Sequence, residues 1–307
     1  MRLRPPVPDD APAVLAVLVA CERAYLGVAD NTLADVLDEW RSSDLDPAED
    51  ARVVESRDGG LVGYAVVRRP GSLAVVHPDH EGRGIGTRLL EWAERRERER
   101  GREAHRQWVA ASNAGARRLL TAAGYTVARS YWRMVRSLDG LGPEASPPPG
   151  VRLRTVDVGH DAVSMHALDA RSFATNPGYA AETLGEFCEE HLEAHAFDAS
   201  LGRVAENDEG IVGFLIACRW DDAEVGYVDV LAVDPEHQGR GVGTALLGSA
   251  FAAFASTGLR EAQLGVDSDN PRALRIYRRA GMRVSFRYDV YERPMARPYM
   301  SPLRRNQ

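Results

Sequence analysis

Residues 231–247 read LAVDPEHQGRGVGTALL, and residues 74–90 read AVVHPDHEGRGIGTRLL. Ten of these 17 aligned positions are identical, at an offset of 157 (231 − 74). The same offset aligns NAGARRLLTAAGY (113–125) with NPRALRIYRRAGM (270–282). Upstream the offset is 150: RLR at 2–4 matches RLR at 152–154, and LVGYAVV (61–67) matches IVGFLIA (211–217). A constant order of matches with one seven-residue step (157 − 150) is the mark of a duplicated unit with a single loop insertion. Between the copies, residues 140–150 read GLGPEASPPPG, and three consecutive prolines favour an extended spacer. The chain therefore reads as an N-terminal domain over 1–139, a linker over 140–150 and a C-terminal domain over 151–307.

Within each copy the pattern is the same. A short strand (Leu3; 151–153) leads into helical sequence. A hairpin follows: 52–56 and 61–68 around Asp58-Gly59-Gly60, and 202–206 and 211–219 around 207–210. A further strand (73–76; 226–233) ends at a proline and a glycine-rich turn, and a helix begins (84–100; 241–257). Another strand, a short helix, a glycine and a final strand (125–137; 282–292) close the copy. Strands mixed with helices predict an α/β (α+β) layer fold, twice over, each with a mixed β-sheet flanked by helices.

Composition narrows the function. The 307 residues carry 38 basic against 45 acidic side chains, a net charge of −7, which argues against nucleic acid as the partner. Every basic side chain is arginine, so lysine Schiff-base chemistry is excluded. Cys21, Cys188 and Cys218 are isolated and form no CxxC, and the eight histidines form no HxH or HExxH pair; neither a disulfide framework nor a metal is expected. No apolar run reaches the ~18–20 residues that cross a bilayer. The stretch 11–21 is interrupted by Pro12 and preceded by Asp9 and Asp10, the wrong charge layout for a secretory signal. A cytoplasmic protein with no membrane partner is expected.

The chemistry sits in Gln238-Gly239-Arg240-Gly241-Val242-Gly243-Thr244, between a strand and a helix. Glycines let backbone N–H groups approach a ligand closely, and a helix N-terminus adds unpaired donors and partial positive charge. Together they suit a pyrophosphate. A P-loop needs a lysine, and a Rossmann turn needs a glycine where Leu246 stands, so both are excluded.

At these residues the chain resembles the GNAT N-acetyltransferase superfamily in a tandem arrangement. Gln238-Gly239-Arg240-Gly241-Val242-Gly243 matches that family's Gln/Arg-x-x-Gly-x-Gly/Ala phosphate loop. The preceding Val233-Asp234-Pro235 and the later Asn270, Ala273, Tyr277, Ala280 and Gly281 match as well. The resemblance covers nearly the whole chain, and its layout is similar to that of the mycothiol synthases. It implies acetyl-CoA as co-substrate and acyl transfer to an amine. It places pantetheine along Leu231, Ala232 and Val233, with an oxyanion donor among their N–H groups. It places pyrophosphate on residues 238–244, with Asn270 nearby.

The copies are unequal. Copy one has Glu81 in place of Gln238 and Leu120 in place of Tyr277, while Tyr227 and Asp229 map to Pro70 and Ser72. Copy two is therefore expected to be catalytic. Copy one keeps a phosphate-type loop (Val76, Arg83, Gly84, Gly86, Thr87) that can still hold a CoA. Tyr277 matches the family's thiolate-protonating tyrosine. The family's strand glutamate is Tyr227 here, so the base falls to Asp229, two residues on and on the same strand face, with Glu224 or water as alternatives. An acid within an apolar strand is costly unless paired or used.

Residues 95–102 (RRERERGR) read as a solvated helix face and the tryptophans as core, whereas 173–179 (FATNPGY) falls where the family binds its acceptor. The expected acceptor is a small-molecule amine, with polyamines, antibiotics and protein N-termini open. A non-enzymatic acyl-CoA sensor is the alternative. A tandem pair can satisfy its sheet edges internally, so a monomer is compatible with the sequence, as is a homodimer.

Overall fold

The computed structural model describes residues 1–295 apart from 30, 69–70, 142–145, 177–178 and 221–222. Pro70, the middle of the 140–150 spacer, and Pro177 with Gly178 lie outside the described residues.

The first copy runs β1 (Arg2–Arg4), α1 (Ala11–Tyr25), α2 (Leu33–Arg41), α3 (Pro47–Asp50), β2 (Ala51–Glu55), β3 (Leu61–Val67), β4 (Ser72–Val76), α4 (Ile85–Glu99), β5 (Ala104–Ala110), α5 (Ala114–Ala122) and β6 (Thr126–Ser137). The second runs β7 (Arg152–Thr155), α6 (Val158–Phe173), α7 (Leu184–Phe187), β8 (Arg203–Asn207), β9 (Gly210–Trp220), β10 (Val225–Val233), α8 (Val242–Ser256), β11 (Glu261–Asp267), α9 (Pro271–Arg279) and β12 (Arg283–Pro294).

The mixed sheets predicted from the repeat are present. In the first unit the strand order is β1-β2-β3-β4-β5-β12, and in the second β7-β8-β9-β10-β11-β6. Only β4–β5 and β10–β11 pair in parallel; the other pairs recorded within each unit are antiparallel. The central strands β3 (LVGYAVV) and β9 (GIVGFLIACRW) are apolar along most of their length because helices cover both faces. Behind β9, the side chains of Phe214, Ile216 and Val230 pack with Met165, Leu168 and Phe187 of α6 and α7, and those of Leu215, Ala217 and Val228 pack with Leu246, Ala250 and Phe254 of α8.

The repeated RLR has a structural cause. Arg4 grips Asp10 with two hydrogen bonds (2.6 and 2.9 Å) and reaches Glu55 at 3.1 Å. Arg154 does the same with Asp161 (2.6 and 2.7 Å) and Glu206 (2.8 Å). Burial opposes the charge on Asp161, but Arg154, His160 and the Asp157 amide outweigh it and hold the carboxyl at about 2. The arginine run 95–102 is not only a solvated face. Arg96 and Arg100 reach Asp50, 3% exposed, at 2.7 and 3.4 Å and so clasp α3 against α4.

The chain divides into two compact units, Met1–Ser130 with the segment from Tyr288 onward, and Tyr131–Arg287. This differs from a division at the 140–150 spacer. The long strands β6 and β12 each change unit midway. Residues 131–137 pair with β11, from Tyr131↔Asp267 to Ser137↔Glu261, and residues 288–294 pair with β5, from Tyr288↔Ala110 to Pro294↔Ala104. Each sheet is thus completed by the final strand of the other sequence copy. In the first unit this strand is also fixed by a buried polar chain. Arg293 meets Glu94 at 2.5 Å and lies 4.8 Å over the Tyr125 ring. The Tyr125 hydroxyl donates to Glu94 (2.5 Å) and contacts His105 Nδ1 (2.6 Å), whose Nε2 contacts Ser72 Oγ (2.7 Å).

A chain ending at Arg287 should therefore loosen the N-terminal unit. Amide hydrogen exchange at residues 104–110 should rise by roughly tenfold or more relative to the full chain, since β5 becomes an edge. Unchanged protection there would show that the β12–β5 pairing is wrong.

Candidate active site

The parallel pairing of β10 with β11 runs from Val225↔Glu261 to Val228↔Leu264 and stops. β10 continues against β9 from Val230↔Ile216 to Val233↔Gly213, with a register slip between Val228 and Val230. Asp229 is the bulged residue, and a bulge re-aims a side chain and ends local pairing. Beyond it, Leu231, Ala232 and Val233 present an edge that β11 does not pair, and backbone groups there need partners from elsewhere.

The strand then enters the turn that the sequence singles out. The Asp234 carboxylate accepts the Glu236 amide (3.0 Å) and caps the short turn Pro235–His237. The Gln238 side chain donates to the Val233 carbonyl (2.9 Å) and accepts from Arg272. Gly239 and Gly241 adopt φ of 79° and 96°, which a side chain would strain. Gly241 is the N-cap of α8, so the amides of Val242, Gly243 and Thr244 have no acceptor within the helix. Arg240 is exposed beside them. This is a workable seat for a pyrophosphate, and its donor set fits the phosphate end of a CoA. Asn270 caps α9 by accepting the Ala273 amide (3.0 Å).

Tyr277 lies on α9, 8% exposed. Burial, and then the nearby Tyr227, push its hydroxyl up to about 12, so it holds its proton at neutral pH. Tyr227 stacks on Trp220 (centroids 4.8 Å apart), with the Arg133 guanidinium 4.8 Å over its ring. An aromatic and guanidinium stack thus occupies the place where the family often carries an acid.

Asp229 has a partner that no motif announced. Its Oδ2 lies 2.6 Å from Nδ1 of His191, on the π-helical turn Cys188–Leu192, 38 residues away in sequence. Burial disfavours the imidazolium, but the Asp229 hydrogen bond and the charges of Asp229, Glu190 and Glu182 outweigh it and raise His191 to about 9. Its Nε2 lies 3.9 Å from Glu182. Glu182 is itself raised, by burial and then by Glu190. Asp169 accepts from the Tyr179 hydroxyl (3.2 Å) and is raised by burial. Tyr179 belongs to the segment that the sequence analysis assigned to the acceptor; Asp169, Glu182 and His191 carried no sequence signal. Glu182, Glu190 and His191 bring one donor atom each within 4.8 Å of one another, close enough to share a cation.

Glu224 is placed elsewhere. It precedes β10 with φ 54° and pairs with Arg260 at 3.0 Å. Five residues of strand, about 16 Å, separate it from Asp229. In the first unit, Gly84 caps α4 with φ 76°, and Gly86 and Thr87 form the helix's first turn. The Val76 carbonyl accepts from Cys21 Sγ (3.1 Å), and Arg83 is turned to the Asp79 carbonyl (3.1 Å).

The His191–Asp229 contact sets a titration. In the NMR spectrum the His191 imidazole should titrate near pH 9 in the wild type and below 7 in Asp229→Asn, which removes the largest favourable contribution to its charge. Because the folded pKa lies above the ordinary histidine value of 6.5, the pair's contribution to stability is complete below about pH 6.5 and fades as pH rises through 9. An unshifted titration in the variant would refute the pairing.

Two segments of the chain, residues 17–125 and 164–282, match the Acetyltransferase (GNAT) family. The mycothiol acetyltransferase of Thermobispora bispora is 36% identical over 244 residues, 75% of this chain and 80% of that protein. The mycothiol acetyltransferase of Kineococcus radiotolerans is 34% identical over 285 residues, 89% of each chain. Among solved structures, a GNAT N-acetyltransferase from Sphaerobacter thermophilus superposes with a TM-score of 0.80 at 30% identity over 95% of both chains. A tandem GNAT protein from the clavulanic acid biosynthesis pathway shares the fold at TM-score 0.74 and 17% identity, covering 95% of this chain and 98% of that one. The chain belongs to the GNAT acetyltransferase family, as an N-acetyltransferase with two such units in tandem.

Proposed function

We propose that the second unit transfers the acetyl group of acetyl-CoA directly to a primary amine of a small molecule, both substrates being bound together. The observation that carries this reading is the position of the Asp229–His191 pair at the point where β10 parts from β11. An amine with pKa near 10 is mostly protonated at neutral pH and must lose a proton before it attacks. The co-substrate supplies an activated thioester. The turn 238–244 holds its phosphates, the unpaired edge at Leu231, Ala232 and Val233 aligns its pantetheine arm, and an N–H of that edge serves the developing oxyanion.

The pair supplies the base. An ammonium bound beside Asp229 competes with the His191 imidazolium for the carboxylate. That competition lowers the affinity of His191 for its proton, which passes to solvent water, and the neutral imidazole then accepts one from the ammonium of the substrate, leaving the free amine to attack. The two groups act as one titrating unit. Tyr277, protonated at neutral pH, gives its proton to the departing thiolate. Three carboxylates (Asp169, Glu182 and Glu190) near His191 favour a cationic acceptor over a neutral one.

The relatives named mycothiol acetyltransferases put an acceptor of the mycothiol type first among the amines to try. Coenzyme A release should be measured from acetyl-CoA against that acceptor, polyamines, aminoglycosides and peptides. Release with one class names the acceptor. Absence of release with every amine, from protein that binds acetyl-CoA, removes the amine reading. For the acceptor found, Tyr277→Phe should lower kcat by roughly 10²-fold or more with acetyl-CoA affinity unchanged. Equal turnover would remove Tyr277 from the reaction.

A further inference from the structure

In the first unit a cavity of about 440 Å³ opens beside the parted strands β4 and β5. Among the described residues their parallel pairing comprises Ser72↔Gln107 and Leu73↔Trp108. The walls are largely apolar: Leu18 of α1, Val75 of β4, Leu89 and Leu90 of α4, Val109 of β5 and Leu120 of α5. That volume is in the range of small-molecule sites.

Two independent features of the lining point to the same ligand chemistry. The first is Gln107, 3% exposed. Its Nε2 donates to the Trp108 carbonyl (3.2 Å), whereas its buried Oε1 has no hydrogen-bond partner. A buried acceptor left unpaired loses its hydration without replacement, so a ligand that donates an N–H to it recovers that cost.

The second feature is the charge. Glu22 and Glu81 both line the cavity. Burial first, and then the charges of Glu81 and Glu22, push the Cys21 thiol up to about 12, so the interior disfavours a further anion. Glu81 accepts from the Tyr25 hydroxyl at 2.5 Å, and it occupies the position that Gln238 holds in the second unit. A pyrophosphate seated on this turn would meet a carboxylate. Of the basic side chains on the lining, Arg118 is exposed and His80 contacts Arg83 at 3.4 Å.

We propose that the first unit's cavity binds a small organic amine. Its apolar body lies between sheet and helices, an N–H meets Gln107, and its cationic end faces Glu81. The site is separate from the acetyl-transfer centre and does not depend on the reading of that centre.

Octylamine and phenylethylamine are suitable probes, with octanol as the neutral control and coenzyme A as the competing occupant. Calorimetry on the full chain should show both amines binding and octanol binding at least roughly tenfold more weakly. Glu81→Gln and Gln107→Leu should each weaken the amines by roughly tenfold, and Asp229→Asn reports separately on any amine held at the acetyl-transfer centre. Gln107→Leu replaces a buried amide by a side chain of similar size, and an unchanged circular dichroism spectrum verifies its fold. Three results would overturn the proposal. One is amine affinity that falls in Asp229→Asn but not in the other two variants, which moves the amine to the acetyl-transfer centre. Another is coenzyme A filling two sites per chain with octylamine displacing one, which gives the cavity to the coenzyme. The third is no binding of either amine at millimolar concentration.

Discussion

The structure depends on a place where the sheet stops pairing. Two parallel neighbours start in register and then part, β10 from β11 after Val228↔Leu264 and β4 from β5 after Leu73↔Trp108. A parted pair is unfavourable in itself, because backbone donors and acceptors lose their ladder. It persists because each of the first strands keeps its antiparallel neighbour and each unit packs helices on both faces of its sheet. The opening thus leaves room and unpaired backbone for a ligand. What enters must supply an edge of hydrogen-bonding groups or an apolar filling, and the turn that follows decides which charge it can carry.

That turn is nearly the same backbone in both units. Gly82 and Gly84 take φ of 70° and 76°, and Gly239 and Gly241 take 79° and 96°. A short capped turn precedes each, and a helix starts at the second glycine. The difference lies in one side chain. Gln238 is a neutral amide that bridges the Val233 carbonyl and Arg272, which tightens the turn and keeps it free of negative charge. Glu81 is a carboxylate held by a tyrosine. The same backbone donors with a different local charge are a route by which a duplicated site can change ligand, since a fold fixes geometry and the side chains fix chemistry.

Much of the fold was legible because it rests on local rules. The repeated RLR was visible as a match and is explained by two equivalent arginine–aspartate clasps. The strand, glycine turn and helix were visible because only glycines tolerate those φ values. The exchange of final strands was not legible. β6 and β12 are both 12 residues long and close their copies in the same way; which sheet each joins is decided by contacts far apart in sequence, such as Arg293 with Glu94. In the candidate site, the sequence put Tyr277 on a helix and Asp229 on a strand, and the structure places them so. His191 was not legible, because a lone histidine among acids on an irregular turn has no periodicity, and its contact exists only once β10 brings Asp229 to within 2.6 Å.

In the reaction proposed above, the position of Tyr227 changes the proton path. An acid there would sit beneath Trp220 and Arg133, and its proton would be drawn off by the guanidinium. A tyrosine instead turns that guanidinium into a stacking partner, and its proximity adds to the burial that pushes the Tyr277 hydroxyl up. The carboxylate is displaced two residues along the strand to the bulge, where no arginine pairs with it among the described residues and a histidine does. An arginine partner would keep its own proton and take none from an amine. An imidazole can exchange its proton, which is why the proposed reaction assigns the base to the pair rather than to an ion pair with arginine.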